Sequence, residues 1–442
     1  MTTVSLTAAA RAAKEARAFL ATRSSLLTTY GLSQIAVLAM NTLSGFILVR
    51  AMAKQDYAWF TIALAAVSTI NVLADSGLGS ALNAVGGPLV SNTRRFASLT
   101  RLVRQRRAVY GAAAALVVLP ITFGLLHANE ARLGTSVLIL ALVALTAVAS
   151  TEAVVYVATH KLRSRVRPLL RSEIAGSGVR LVLILAAAGF GIGVAIAVAC
   201  SSLAQWVRLL LLRRQTTDLS TTDDYHSDTW RRQINGIVLH SLPLALFYCV
   251  QGVVATVVLS VFATSSQVAD LGALTRFHIV FAIVAMPLAH FVFPGISRCP
   301  EGVGLRRIVL RTIAGASAVF TGLALLGVVC RPVLLWLLGP QYAHLGGELA
   351  LYLATLAIAS CASMMWGILL ARGWVRHGWI QIPLAIALMV LSTSWLEFDK
   401  TSSAIVFAAL GSVASLCTAG ILVARSLPSG AAESLTCGHA AE

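Results

Sequence analysis

The chain reads as a succession of long apolar runs broken by short, mostly basic segments. The runs are continuous over the roughly 20 residues an α-helix needs to cross a bilayer. They do not show the period-two alternation of transmembrane β-strands. Twelve spans fit, at about 29–49, 58–84, 108–127, 134–158, 172–189, 191–212, 234–262, 267–293, 308–330, 345–371, 377–395 and 402–424. The fifth and sixth meet at Gly189-Phe190-Gly191-Ile192-Gly193, where glycine permits a sharp reversal.

The stretch from Arg50 to Asn83 departs from uniform apolarity. It opens on Arg50 and Lys54, carries Asp56 as a predicted helix cap, and turns apolar at Trp59. Thr61, Ser68 and Asp75 recur every seven residues, so on a helix they drift only about 20° per step and share a face, with Asn71 and Gly79 beside it. A carboxylate facing lipid costs several kcal/mol, so this stripe must face protein or a water-filled cavity. Span one aligns Gln34 with Asn41, next to Ser44 and Gly45, and span seven aligns His240 with Gln251, with Pro243 near its inner end. Interhelical hydrogen bonds, worth about 0.6 kcal/mol each, would explain any one of these residues. Four striped helices together predict two six-helix bundles facing each other across a central cavity.

Span eight carries Arg276 about ten residues from its outer end, roughly 14 Å of helix. Gly272, Val280, Ile283, Pro287 and His290 share its face, and His278 points the opposite way. A guanidinium at that depth stays charged and presents a planar fork suited to phosphate or carboxylate. Arg276 is therefore a candidate anion-binding group, with a structural ion pair as the alternative. Pro287 would bend the helix and free a carbonyl. Glu152 on span four and Arg180 on span five fall at similar depth, and a structural salt bridge between them is expected in preference to a substrate role. Asp75 should lie nearer the inner surface than Arg276, out of its reach. A desolvated carboxylate holds its proton more tightly, which makes Asp75 the candidate for H+ or Na+ coupling.

Composition agrees with the pattern: of 442 residues, 58% are hydrophobic and 12% charged, and the mean hydropathy is +0.83. A soluble domain is roughly a quarter charged. The net charge of +17 would suggest nucleic acid in a soluble protein, but its distribution explains it otherwise. Lys and Arg cluster at 11–23, 94–107, 161–171, 208–232, 298–311 and 372–376, and the intervening loops hold only Arg50, Lys54, Arg132, Arg331 and Lys400. That asymmetry places both termini in the cytoplasm by the positive-inside rule and removes the case for nucleic acid. The basic N-terminal segment is compatible with a helix on anionic lipid and equally with a frayed tail. No A-x-A-like site follows the first apolar run, so that run is expected to be retained.

The polar stretch between Arg213 and Arg232, with Asp218, Asp223, Asp224 and Asp228, divides the spans six and six. The predicted organisation is a cytoplasmic segment 1–28, a six-helix bundle 29–213, a linker 214–233, a second bundle 234–425 and a cytoplasmic tail 426–442. An even split about a linker is what a duplicated transporter would show, with its site between the halves near the midplane. The seven cysteines are scattered without C-x-x-C spacing, so neither a disulfide framework nor a metal site is expected. No P-loop, H-E-x-x-H or G-x-S-x-G motif occurs, and no enzyme activity or cofactor is predicted.

Three segments resemble a known family. Arg50, Asp56-Tyr57 and Ala74-Asp75-Ser76-Gly77-Leu78-Gly79-Ser80-Ala81 look like the first-helix-pair signature of bacterial polysaccharide repeat-unit (O-antigen type) flippases, in the multidrug/oligosaccharidyl-lipid/polysaccharide exporter superfamily. Phe293-Pro294-Gly295-Ile296-Ser297-Arg298 is similar to that family's ending of span eight, and Leu338-Gly339-Pro340-Gln341-Tyr342 to its outer loop before span ten. The resemblance implies flipping of undecaprenyl-pyrophosphate-linked oligosaccharides to the outer leaflet of the bacterial inner membrane by alternating access, for surface polysaccharide synthesis. It implies a cationic cavity for the sugar-pyrophosphate; the family often has several cavity cations, whereas here Arg276 is the well-placed one, with Arg50 and Arg180 behind it. Its implied partners are the lipid-linked oligosaccharide, membrane lipid, a coupling ion and polysaccharide-assembly proteins. Together with the stripes, the expected substrate contacts are Arg276, Asn41, Ser68 and Gln251, followed by Arg50, His240 and Gln34. An ion-coupled multidrug or lipid-II exporter of the same fold is the first alternative. A glycan polymerase or ligase is the second, disfavoured by the short outer loop from Arg331 to His344.

Overall fold

The computed structural model describes residues 33–86, 89–90, 92–163, 165–216, 228–288, 292–293, 296, 303–372, 374, 377–397 and 400–427. Outside these residues lie the basic segment 1–28, linker residues Asp218, Asp223 and Asp224, His290, most of the Phe293–Arg298 motif, Cys299, Cys437 and the tail from 428. The side chains of His240 and Pro287 also fall outside the description.

The described residues contain helices and no strands. Among the described residues nine helices are long and apolar enough to cross a membrane, and shorter or more charged helices at Val166–Ala188, Asp228–Phe262 and Gly378–Ser392 occupy the other three predicted positions. Leu116, Val329 and Phe190 are 78%, 78% and 94% exposed, an apolar exterior of the kind that lipid covers. This is an all-α, polytopic membrane fold.

Helix α1 (Ser33–Ala51) leads into α2 (Lys54–Asp75) through two residues. The α2 cap is extended Ala53, and Asp56 is in the first turn, where its carboxylate accepts the backbone N–H of Val194. Asp56 thus ties α2 to a distant helix instead of capping its own. The predicted continuous span 58–84 is also interrupted, because Ser76 (φ 37°) and Gly77 (φ 87°) enter the left-handed region and separate α2 from α3 (Leu78–Gly86). Gly77 tolerates that backbone at no steric cost.

Helix α4 (Thr93–Ala128) begins well before the predicted apolar run. Asn92 accepts the N–H of Arg95 at 3.2 Å, and no Gly or Pro interrupts the basic stretch, so its arginines ride on helix. Helices α5 (Leu133–Leu162), α6 (Val166–Ala188) and α7 (Val194–Arg214) follow, with Gly191 at φ 86° making the expected reversal. Then come α8 (Asp228–Phe262) and α9 (Ser265–Leu274), the latter opened by a capping box between Thr264 and Gln267. Predicted span eight is not one α-helix: a 3₁₀ turn at Thr275–Phe277 separates α9 from α10 (His278–Pro287). The remaining helices are α11 (Val303–Val329), α12 (Arg331–Leu338), α13 (Gly346–Arg372), α14 (Gln381–Ser392) and α15 (Thr401–Ser426).

Helix α2 is central, packing on α4, α5, α7, α8 and α9. Helices α4 to α7 pack among themselves, as do α11, α13, α14 and α15, and α8 touches both groups. One end of the bundle carries the arginines of α4, the end of α7 and the start of α8, and the other carries the α1–α2 and α8–α9 junctions.

Candidate functional site

At the arginine-poor end the early helices are stitched to the later ones. Lys54 of α2 pairs with Asp270 of α9 at 2.9 Å and reaches Ser266 at 3.2 Å, and His344 approaches Asp270 at 3.2 Å. Gln341 donates to the Val49 carbonyl at 2.8 Å, and Asn129 donates to that of Ser260 at 3.2 Å. Burial pushes the hydroxyl of Tyr342 above its ordinary range, so this loop residue stays neutral. Arg276 lies at the same seam. It sits in the 3₁₀ turn, its Nε donates to Tyr57 Oη at 2.8 Å, and its guanidinium lies 5.7 and 5.8 Å from the ring centres of Tyr57 and Phe60. A Cβ on Gly45 would come within 3.1 Å of its stem, so glycine on α1 makes its room. Gly272 serves α2 likewise: a Cβ there would meet Thr61 Oγ1 at 2.1 Å.

A polar cavity of about 310 Å³ opens among α1, α2, α5, α6 and α7. Gln34, Asn41, Glu173, Ser177, Arg180, Ser201, Gln205 and Arg208 line it. Glu173 accepts from Gln34 at 2.6 Å and from Arg208 at 3.2 Å, an internally neutralised pair. Arg180 has no partner among the described residues, and its Nε is sealed from solvent. The stem of Arg276 rests on Gly45 of α1, one turn from the cavity-lining Asn41. The cavity therefore carries one uncompensated positive charge beside a second. An unpaired charge in such surroundings is costly, and an anion in the cavity would relieve it.

The predicted residues part company here. Gln34 and Asn41 face the cavity, and Arg276 stands next to it at the seam. Ser68 is exposed on α2 and lines none of the cavities described here. Gln251 lies against α15, where a Cβ on Gly411 would be 2.5 Å from its Nε2. Arg50 rests over Trp336 of α12 at 5.2 Å. His240 is on α8. Asp75 forms an ion pair with Arg107 of α4, away from Arg276. The expected Glu152–Arg180 bridge is not formed: Glu152 pairs with Arg104 at 2.9 Å, because the long α4 presents its arginines to α5. The polar lining residues that the sequence reading missed are Glu173, Ser177, Ser201, Gln205 and Arg208. Glu173 and Arg180 are seven apart on α6, and Ser201, Gln205 and Arg208 share a face of α7, the same periodic signal that drew attention to α2.

Fold and cavity together define a polytopic membrane protein with a cationic internal chamber. No protein-family model matches the chain, and no curated protein matches it. Its fold is similar to that of solved structures. One is an inward-facing multidrug resistance MATE family transporter of the MOP superfamily, at 14% identity and TM-score 0.68, covering 89% of this chain and 98% of that one. Another is the lipid II flippase MurJ in an inward closed conformation, at 11% identity and TM-score 0.70, covering 91% and 88%. A third is the Vibrio cholerae MATE transporter VcmN, at 15% identity and TM-score 0.59, covering 90% and 97%. Identities this low establish the shared fold alone.

Proposed function

We propose that the protein is a transporter that flips undecaprenyl-pyrophosphate-linked oligosaccharides across the bacterial inner membrane by alternating access, for surface polysaccharide synthesis. The observation that carries this reading is Arg180, in a polar cavity without a partner among the described residues and near Arg276. A pyrophosphate supplies the missing negative charge, and the amides of Gln34, Asn41 and Gln205 offer hydrogen bonds to sugar hydroxyls. The polyprenyl chain stays in lipid, and rocking of one six-span half against the other would part the Lys54–Asp270 and Arg276–Tyr57 contacts. Both termini are then cytoplasmic, and the arginine-rich end faces the cytoplasm.

Ion coupling through Asp75 would require H+ or Na+ to displace Arg107 from its carboxylate, leaving that arginine without its partner. Ser68, Gln251, Arg50 and His240 enter this reading only as groups that approach the substrate in another conformation. Export of a cationic drug by the same fold is disfavoured by the positive chamber, whereas lipid II, with a pyrophosphate of its own, remains the second reading and is favoured by the likeness to MurJ. Arg276→Ala and Arg180→Ala variants, expressed in cells lacking the native protein, should lose surface glycan while peptidoglycan synthesis continues. Unaltered glycan in both variants would remove the assignment, and arrested peptidoglycan would transfer it to lipid II.

A further inference from the structure

A second cavity, of about 540 Å³, lies between α2, α4 and α8 and shares no lining residue with the Arg180 chamber. Its polarity changes along its length. Ser76, Arg106 and Asn235 lie toward the arginine-rich end, whereas Ala113, Leu239 and Leu242 lie further along α4 and α8, which run in the same direction. From Arg106 to Ala113 is about 10 Å of helix.

The mouth sits at a defined depth. Helix α2 has 22 residues. That is about 33 Å of helix, close to the thickness of the hydrocarbon core. Its end at Asp75–Ser76 therefore marks the headgroup boundary, and Arg106 lines the groove beside it. Three neighbouring arginines on α4 differ in one respect. Arg104 pairs with Glu152 and Arg107 with Asp75, but Arg106 has no partner among the described residues. A cation at phosphate depth above an apolar slot is complementary to a lipid with an anionic headgroup and a hydrocarbon chain.

We propose that this groove binds one anionic phospholipid of the surrounding bilayer, its phosphate on Arg106 and an acyl chain along Ala113, Leu239 and Leu242. Because α4 packs with the early helices and α8 touches both groups, the lipid bridges the two at the arginine-rich end, opposite the Lys54–Asp270 stitch. This site is separate from that of the transported substrate and does not depend on its identity.

The test uses the full chain in nanodiscs holding equal amounts of phosphatidylglycerol and phosphatidylcholine, released into detergent and weighed by native mass spectrometry. One retained phosphatidylglycerol is expected. Arg106→Gln should lower its retention about fivefold, and Arg106→Lys should restore most of it. Leu239→Trp, at a position 69% exposed, should fill the slot and abolish retention, whereas Leu116→Trp, at a position 78% exposed on α4 and outside the groove, should leave it intact. Equal retention of the two lipids, or retention unchanged by Arg106→Gln and Leu239→Trp, would overturn the proposal. Displacement of phosphatidylglycerol by an equal amount of added undecaprenyl phosphate would overturn the assignment to a bilayer lipid and give the groove to the transported one.

Discussion

Asp270 and Arg180 each sit among packed helices, one at the arginine-poor seam and the other in the internal chamber. Asp270 is 3% exposed and has Lys54 and His344 within 2.9 and 3.2 Å. Arg180 has no counter-ion among the described residues, although Glu173 lines the same cavity, because Glu173 is already engaged by Gln34 and Arg208. The contrast separates two uses of charge in a membrane protein. A charge that the chain neutralises fixes which helices touch, and a charge left over invites something from outside the chain.

The strongest way to break this contrast is Asp270→Ala, which should cost about 3–5 kcal/mol by stranding Lys54. Thermal unfolding of the purified protein reads it, and a Lys54→Met, Asp270→Leu double variant should recover most of the loss. If the single and double variants unfold alike, the seam is not held by the pair. Arg180→Gln should behave in the opposite sense, with unfolding temperature unchanged or raised and transport in reconstituted vesicles down about 10- to 100-fold, the worth of one charge-assisted hydrogen bond. A drop in stability with transport retained would make Arg180 a structural residue.

Smaller effects sharpen the comparison. Gly272→Ala drives a methyl into Thr61 and should cost about 1–3 kcal/mol, relieved by adding Thr61→Ala, again measured by thermal unfolding. The exposed pair of Glu397 and Lys400 supplies the lower bound. The hydrogen bond and charge of Lys400 hold the Glu397 carboxyl below its ordinary value. Any contribution is present at neutral pH and disappears as pH falls through that lowered value. Lys400→Ala should leave the unfolding temperature unchanged at neutral pH, since exposed pairs contribute little.

Much of the fold was legible because hydrophobic length and helical period are local properties. Twelve helical positions and the reversal at Gly191 follow from them. The break at Ser76-Gly77 had a local signal, the Ser-Gly dipeptide after Asp75, which the continuous apolar reading of 58–84 overrode. The candidate site was half legible. Gln34 and Asn41 were found from their spacing, but Gln251 has the same spacing logic and faces Gly411 instead.

The sequence by itself determined that this chain is an all-α membrane protein with polar faces on several spans and an arginine within span eight. Only the tertiary structure decided that Glu152 belongs to Arg104, Asp75 to Arg107 and Asp270 to Lys54, leaving Arg180 and Arg106 without carboxylates among the described residues. The physical reason is that helical periodicity sets which side chains share a face, whereas the rotation and shift of each helix against its neighbours are settled by packing. A one-turn shift moves a partner by about 5.4 Å, enough to make or lose an ion pair.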